Sequence, residues 1–537
     1  MHTWKQTARN LVTSVVEKPL MIMLFRLKKV FAAGLCAVLA LSSASPVKAD
    51  ALGDIGLTQL LAEFGNGLNG DGIIVGMVEA YSDYNFHFDP QPTNWNNTPV
   101  WFFNVHQGTP ETSPGASAPY TSDPDTNASL YQHDSNQDSN HAPGVAWNYA
   151  SVASGVDKVE VIQADYFINQ LLTARDGAEW QPVTIDSRVV SQSYVSLSQS
   201  DETELKLLFD AYANANGTFF VNGVNNESAS ANSYAPGTMY NGITVGNKNG
   251  SNSLGVHLVA PQDTSSNATP MVAGAAAVLL QAAEQNFGTN SGAADPGAAD
   301  NRVLKALLIN GANKGAIQGG WGSGGMLSNG LDQRYGAGML NVYSSYKTLT
   351  AGRLVTSTTG SPVLQTKTTG WDLQTLTAGA SNSYFFEVPS GSVAANTITA
   401  TLTWNSITTD VAYASVPESF TGDNHISDFN LGLWYLDETN GWELVTEIDA
   451  FDLDPGAPDT YYLLGNVAHL YLTDLEAGTY ELRVTLEGVG ENNTTDADTY
   501  AIAYALNQVP EPSTSVLVCL GTVLTVLHRK RNRRQLQ

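Results

Sequence analysis

Between Asp71 and Leu349, short β-branched runs alternate with helix-patterned stretches, and beyond Gly352 the helices stop. That alternation is the strongest constraint on the fold. A strand that must return parallel to its predecessor needs a crossover, and a helix supplies it, so the pattern predicts a doubly wound parallel α/β sheet with helices on both faces. "DGIIVGMVEAYS" (71–82) reads as a fully buried strand. From Asp83 to Asn140 the chain is rich in Asn, Pro, Ser and Thr with little periodicity, a long surface excursion. "HAPGVAWNYASVASG" opens a small-residue helix, followed by strands near 159–163 and 187–195. An amphipathic helix is expected over 202–216, strands over 217–223, 242–249 and 255–262, an apolar helix to about Asn286 and a further helix over 301–315, with 335–349 closing the unit. In such a sheet, ligands sit at the carboxyl ends of the strands.

After Gly352 come "NSYFFEV", "NTITATLTWN", "LGLWYLD", "HLYLTDLEAGTYELRVTLEG" and "TYAIAYAL", alternating strands with turns between them. They predict a separate antiparallel β-sandwich over 351–508. "DAFDLDPGAPD" (449–459) has the oxygen density of a calcium loop but no ordered ligand spacing. It reads as a solvated acidic loop, with a structural calcium ion left open and no cofactor required for chemistry.

The charge is unevenly placed. The chain has a formal net charge of −26, yet twelve of its 25 Lys and Arg lie in residues 1–49 and 529–534. The body, 50–508, carries thirteen basic residues against 49 acidic ones, a net charge of −36. Such a surface repels nucleic-acid phosphates and suits a secreted protein. Residues 1–49 combine a basic start, an apolar run from Val30 to Leu41 and small residues ending at Ala49. That is a secretory signal, too short for a spanning helix, with Met21 and Met23 as alternative starts. The two cysteines, Cys36 and Cys519, fall in the end segments, so the body expects neither disulfides nor a cysteine metal site.

The C-terminus reads Val509-Pro510-Glu511-Pro512, then a short apolar run from Ser513 to Leu527, then an Arg/Lys cluster. Physically this is a marginal tail anchor whose basic end stays cytoplasmic. It resembles the PEP-CTERM sorting signal of Gram-negative bacteria. The resemblance implies transient membrane anchoring through 509–537, processing by an exosortase, and delivery to the cell surface or matrix.

Four segments carry the chemistry: "DGIIVGMVEA", "HAPGVAW", "FFVNGVNNES" and "SSNATPMVAG". In this order they resemble the signature blocks of the subtilisin-like serine proteases (subtilases) over roughly residues 56–350. The resemblance implies a Ser-His-acid triad acting on a polypeptide substrate, with Ser266 as nucleophile, His141 as general base and acid, Glu79 as orienting carboxylate and Asn226 as oxyanion donor. A serine hydroxyl is a weak nucleophile until a base takes its proton, and a carboxylate must then fix the imidazole tautomer. An acid ending a buried strand is tolerable only when functional or paired. The oxyanion needs donors, here the Asn226 side chain and the Ser266 N–H at a helix start.

Each residue alone also has a bland role: Ser266 as a helix cap, His141 as a structural histidine, Asn226 in a turn, Glu79 beside a lysine or arginine. Several positions depart from the family pattern. Glu79 stands for Asp, with Asp83 and Asp89 as other candidate acids. Gly144 and Trp147 replace a His and a Gly, and Thr264-Ser265 replaces Gly-Thr. Tyr194 and Val195 follow Ser193 where the substrate cleft is usually lined. No room remains before the first strand for a folding prodomain. A sedolisin-type site fits less well, because His141 and Asn226 stand where that family has Glu and Asp. The alternative function is a catalytically silent subtilase scaffold serving as a surface adhesive protein, which a cleft filled by Trp147 or Tyr194 would favour.

Overall fold

A computed structural model describes residues 51–80, 100–103, 141–195, 202–226, 235–250, 255–285, 295–357, 361–390, 396–415, 418–449, 465–489 and 496–508. The signal segment, Asp83, Asp89, the acidic loop beyond Asp449 and the tail 509–537 lie outside them. Among the described residues no helix is long and apolar enough to cross a membrane, and no three His, Cys, Asp or Glu cluster as a metal site would.

The first half has helices α1 (Leu57–Phe64), α2 (His141–Val152), α3 (Glu202–Asn216), α4 (Ser265–Glu284), α5 (Asn301–Asn310) and α6 (Val342–Ala351). Its strands are β1 (Ile74–Glu79), β2 (Val100–Phe103), β3 (Lys158–Gln163), β4 (Arg175–Asp176), β5 (Glu179–Trp180), β6 (Val189–Gln192), β7 (Phe219–Gly223), β8 (Gly242–Asn247) and β9 (Leu258–Ala260). Seven of them form one parallel sheet in the order β2-β3-β1-β6-β7-β8-β9. Successive side chains leave opposite faces. Val75, Met77, Val159, Val161 and Val221 join the cluster holding α2 and α4, while Val78, Ile162, Val190 and Phe220 join the cluster holding α3. Burial on both faces is why β1 reads as an uninterrupted apolar run. The chain leaves β1 for β2 and β3 on one side and reaches β6 on the other, so the carboxyl end of β1 is a topological switch point. Glu79 is its last residue.

Helix α4 runs buried through the centre. A Cβ on Gly274 would lie 2.7 Å from Val152 Cβ and 3.2 Å from the Tyr149 carbonyl. Glycine there lets α2 and α4 touch almost backbone to backbone. The expected helix over 301–315 is shorter than its pattern. The 301–315 helix stops at Asn310, where Gly311 packs against Ser345 too closely for a Cβ, at 2.4 Å from its hydroxyl. The closing segment 335–349 is helical only from Val342, where Asn341 caps it, its side chain accepting the Ser344 N–H. Gly336 and Gly338 hold the preceding stretch in positive-φ turns.

The second half is all strand: β10 (Thr369–Thr377), β11 (Ser381–Val388), β12 (Asn396–Trp404), β13 (Ile407–Ser415), β14 (Glu418–His425), β15 (Asp428–Asp437), β16 (Gly441–Asp449), β17 (Val467–Leu472), β18 (Gly478–Gly488) and β19 (Ala497–Gln508). Two antiparallel sheets, β10-β19-β12-β17 and β11-β18-β15-β16, face each other across a core that includes Tyr384, Trp404, Phe429, Leu482 and Tyr500. The sandwich is less separate than its sequence suggests, since residues 51–537 form one compact unit. Helix α5 packs on β12 and β19, and Val467, Ala501 and Ala503 belong to the same core as α4. The β13–β14 hairpin leaves the sandwich and pairs with β5 of the first half, giving a sheet β14-β13-β5-β4.

Candidate active site

Three strand ends and two helix starts converge at the carboxyl edge of the parallel sheet. β1 delivers Glu79, α2 starts at His141, and His141 Nδ1 lies 2.9 Å from Glu79 Oε2. Because a carboxylate can only accept, Nδ1 carries the hydrogen and Nε2 is left as the basic nitrogen. The Glu79 side chain is fully buried while 44% of the His141 side chain is exposed, so the pair has one face in the protein and one toward solvent. Burial pushes the Glu79 carboxyl up, opposed chiefly by the His141 hydrogen bond and then by Ser193. The same hydrogen bond pushes the His141 imidazole up, against a smaller opposing effect of burial. The longer Glu side chain therefore reaches the imidazole from a strand end. Glu79 Oε1 has no hydrogen-bond partner among the described residues.

Ser266 lies in the first turn of α4, half-buried. The helix cap is Thr264, two residues earlier, with extended φ and ψ and a hydroxyl that accepts the Asn267 N–H at 3.4 Å. Capping is thus assigned elsewhere and does not explain Ser266. Ser265 is pinned on both sides: its hydroxyl donates to the Val224 carbonyl, and its N–H donates to Asn226 Oδ1 at 2.7 Å. That bond fixes which end of the Asn226 carboxamide is oxygen, leaving its NH₂ as the donor end. Asn226 itself is exposed, just beyond the end of β7.

Two further residues support the site: Ser193, which the sequence placed only along the expected substrate cleft, and Asn148, which it did not single out. Pro270 has no N–H, so the Ser266 carbonyl four residues earlier loses its helical donor. Ser193, one residue past β6, donates its hydroxyl to that carbonyl at 3.0 Å. Ser193 therefore touches the Ser266 backbone while also favouring the charged form of Glu79. Asn148, on the second turn of α2, donates to the Gly144 carbonyl at 2.8 Å and to Asn267 Oδ1 at 3.2 Å, and accepts from Gln262 Nε2 at 3.0 Å. It ties the turn bearing His141 to the turn bearing Ser266. Ser193 stood out in the sequence only as the start of the segment expected to line the cleft, and Asn148 had only its position, about two helical turns beyond the histidine.

Trp147 is 50% exposed. Tyr194 packs against the α3-side cluster, and its hydroxyl donates to Gln192 Oε1 at 2.8 Å.

No protein-family model and no curated protein matches the sequence. Among solved structures, a lanthipeptide protease is similar at 13% identity, over 55% of this chain and 93% of that chain, with a TM-score of 0.35. MycP1, a serine protease and essential component of the type VII (ESX-1) secretion system, is similar at 14% identity, over 55% and 88%, with a TM-score of 0.31. PliG of Salmonella Typhimurium, a periplasmic inhibitor of g-type lysozyme, is similar at 9% identity, over 29% and 97%, with a TM-score of 0.14.

Proposed function

We propose that the protein is a serine endopeptidase of subtilisin type that uses a Ser-His-Glu triad. The observation that carries this reading is the 2.9 Å bond from His141 Nδ1 to the buried Glu79 carboxylate at the sheet's switch point. In the proposed reaction His141 Nε2 takes the Ser266 Oγ proton as Oγ attacks the scissile carbonyl, then returns it to the leaving amine. Glu79 holds the tautomer and balances the imidazolium. The Asn226 NH₂ and the Ser266 N–H, at the positive end of α4, receive the developing oxyanion. Ser193 and Asn148 act through others as positioning residues. Export through residues 1–49, and surface sorting with exosortase processing of 509–537, complete the proposal.

The test is hydrolysis of casein by the full-length chain beside Ser266→Ala. The expected result is cleavage that Ser266→Ala loses by at least about 10³-fold. Equal rates for the two folded proteins, or no cleavage by either, would favour the silent scaffold.

A further inference from the structure

The second feature that stands out is a cavity of about 550 Å³ where the two halves of the chain meet. The turn after α5, helix α6 and strands β10, β12, β17 and β19 wall it. Its size falls within the range of small-molecule sites. In a body of net charge −36 its lining is unusual: two residues are Lys and none is Asp or Glu. Most of the rest are Thr, Ser, Asn and Tyr.

Lys314 is the residue without a structural explanation. It is 9% exposed and makes no ion pair among the described residues. Its Nζ sits 4.6 Å from the Tyr471 ring centre and 5.1 Å from that of Trp321. Rings accommodate a cation but do not replace the hydrogen-bond acceptors an ammonium loses on burial. Lys305, equally buried nearby in the sequence, has what Lys314 lacks: the Tyr240 carbonyl at 2.8 Å and Asn466 Oδ1 at 3.1 Å. Burial alone pushes the Lys314 amine down to about 7. His469, whose ring meets Trp321 edge-on, is held neutral by its own burial and by Lys314. Lys347, the second lysine of the lining, is satisfied by Glu63 at 3.1 Å. The cavity thus offers one largely buried lysine amine without an ion pair among the described residues, an aromatic face and many hydroxyl and carboxamide groups.

We propose that this cavity binds a sugar acid, its carboxylate pairing with Lys314 and its hydroxyls meeting the Thr and Asn side chains around it. The inference is independent of the peptidase reading.

The experiment is calorimetric titration of the full-length chain with D-glucuronate, D-glucose and N-acetylglycine. Glucuronate is expected to bind at least about tenfold tighter than either, since glucose lacks the carboxylate and acetylglycine the hydroxyls. Lys314→Met is expected to remove that advantage while leaving casein hydrolysis unchanged. Glucose binding as tightly as glucuronate, acetylglycine binding as tightly as glucuronate, or no glucuronate binding at 10-millimolar order would each overturn the proposal. The ligand comparison uses the wild-type chain, so it decides the matter even if Lys314→Met does not fold. Unchanged glucuronate affinity in a folded Lys314→Met would also overturn it.

Discussion

Glu79→Gln separates the catalytic from the structural role of the buried acid. Glutamine matches glutamate in shape, so strand β1 and its register with β3 and β6 stay as they are. Burial disfavours the ionised Glu79 carboxyl, and a neutral amide removes that cost, so folding should not suffer. The melting temperature is expected within a few degrees of wild type, or above it. Chemistry should suffer in either orientation of the new amide. If its NH₂ replaces Oε2, 2.9 Å from Nδ1, it donates there and forces the proton onto Nε2, the nitrogen that must act as base. If its carbonyl stands there, the tautomer survives but the imidazolium loses its balancing charge. The first case corresponds to roughly 10⁴ in kcat, or about 5.4 kcal/mol, and the second to a smaller loss. The assay is kcat/KM on a chromogenic peptide, run beside thermal melting of the same samples. A folded Glu79→Gln that keeps its rate to within about tenfold would refute the triad assignment, whatever the contact looks like.

Three further outcomes follow from the same geometry. Asn226→Ala should lower kcat by roughly 10²–10³ with KM little changed, read by steady-state kinetics, because the donor is lost where charge develops. Ser193→Ala leaves the Ser266 carbonyl without a donor and should cost about 1 kcal/mol in denaturant unfolding, together with part of kcat. Adding Pro270→Ala restores a backbone N–H to that carbonyl and should recover the rate, which a merely local cavity would not explain. The pH–rate profile should show an acid limb above the ordinary imidazole value near 6.5, since His141 is pushed up by Glu79 and must be neutral to act. In Glu79→Gln that limb should move down. The stability that the His141–Glu79 bond contributes runs the opposite way: it is full below the unfolded imidazole value and lost as pH rises through the folded one.

Much of the fold was legible because local pattern and burial agree. The run through β1 is apolar on both faces, α3 matches its predicted span of 202–216, and the alternation after Gly352 does build two facing sheets. What escaped was decided by partners far along the chain. β4, β5, β13 and β14 are short or polar, and their two hairpins join through β5 and β13 across more than two hundred residues, which no local period reports. The stop of α5 at Asn310 and the start of α6 at Val342 depend on close glycine packing and side-chain capping that override an apolar pattern. At the site, the residue types and their order were readable, but their support was not. That Ser193 compensates for Pro270 depends on a hydrogen bond between segments 73 residues apart, and that Thr264 rather than Ser266 caps α4 depends on which of several adjacent hydroxyl residues turns back to the Asn267 N–H. The cavity at Lys314 was equally hidden, because a lysine in a Gly- and Asn-rich turn looks solvated until the sandwich closes over it.

The central claim is that Ser266 is an activated nucleophile. Treating the full-length chain with a fluorophosphonate probe and locating the adduct by mass spectrometry tests it most directly. The account predicts a single phosphonyl adduct on Ser266 Oγ, absent in Ser266→Ala and in His141→Ala. A folded protein that stays unlabelled, or one that carries the adduct on another serine, would contradict it.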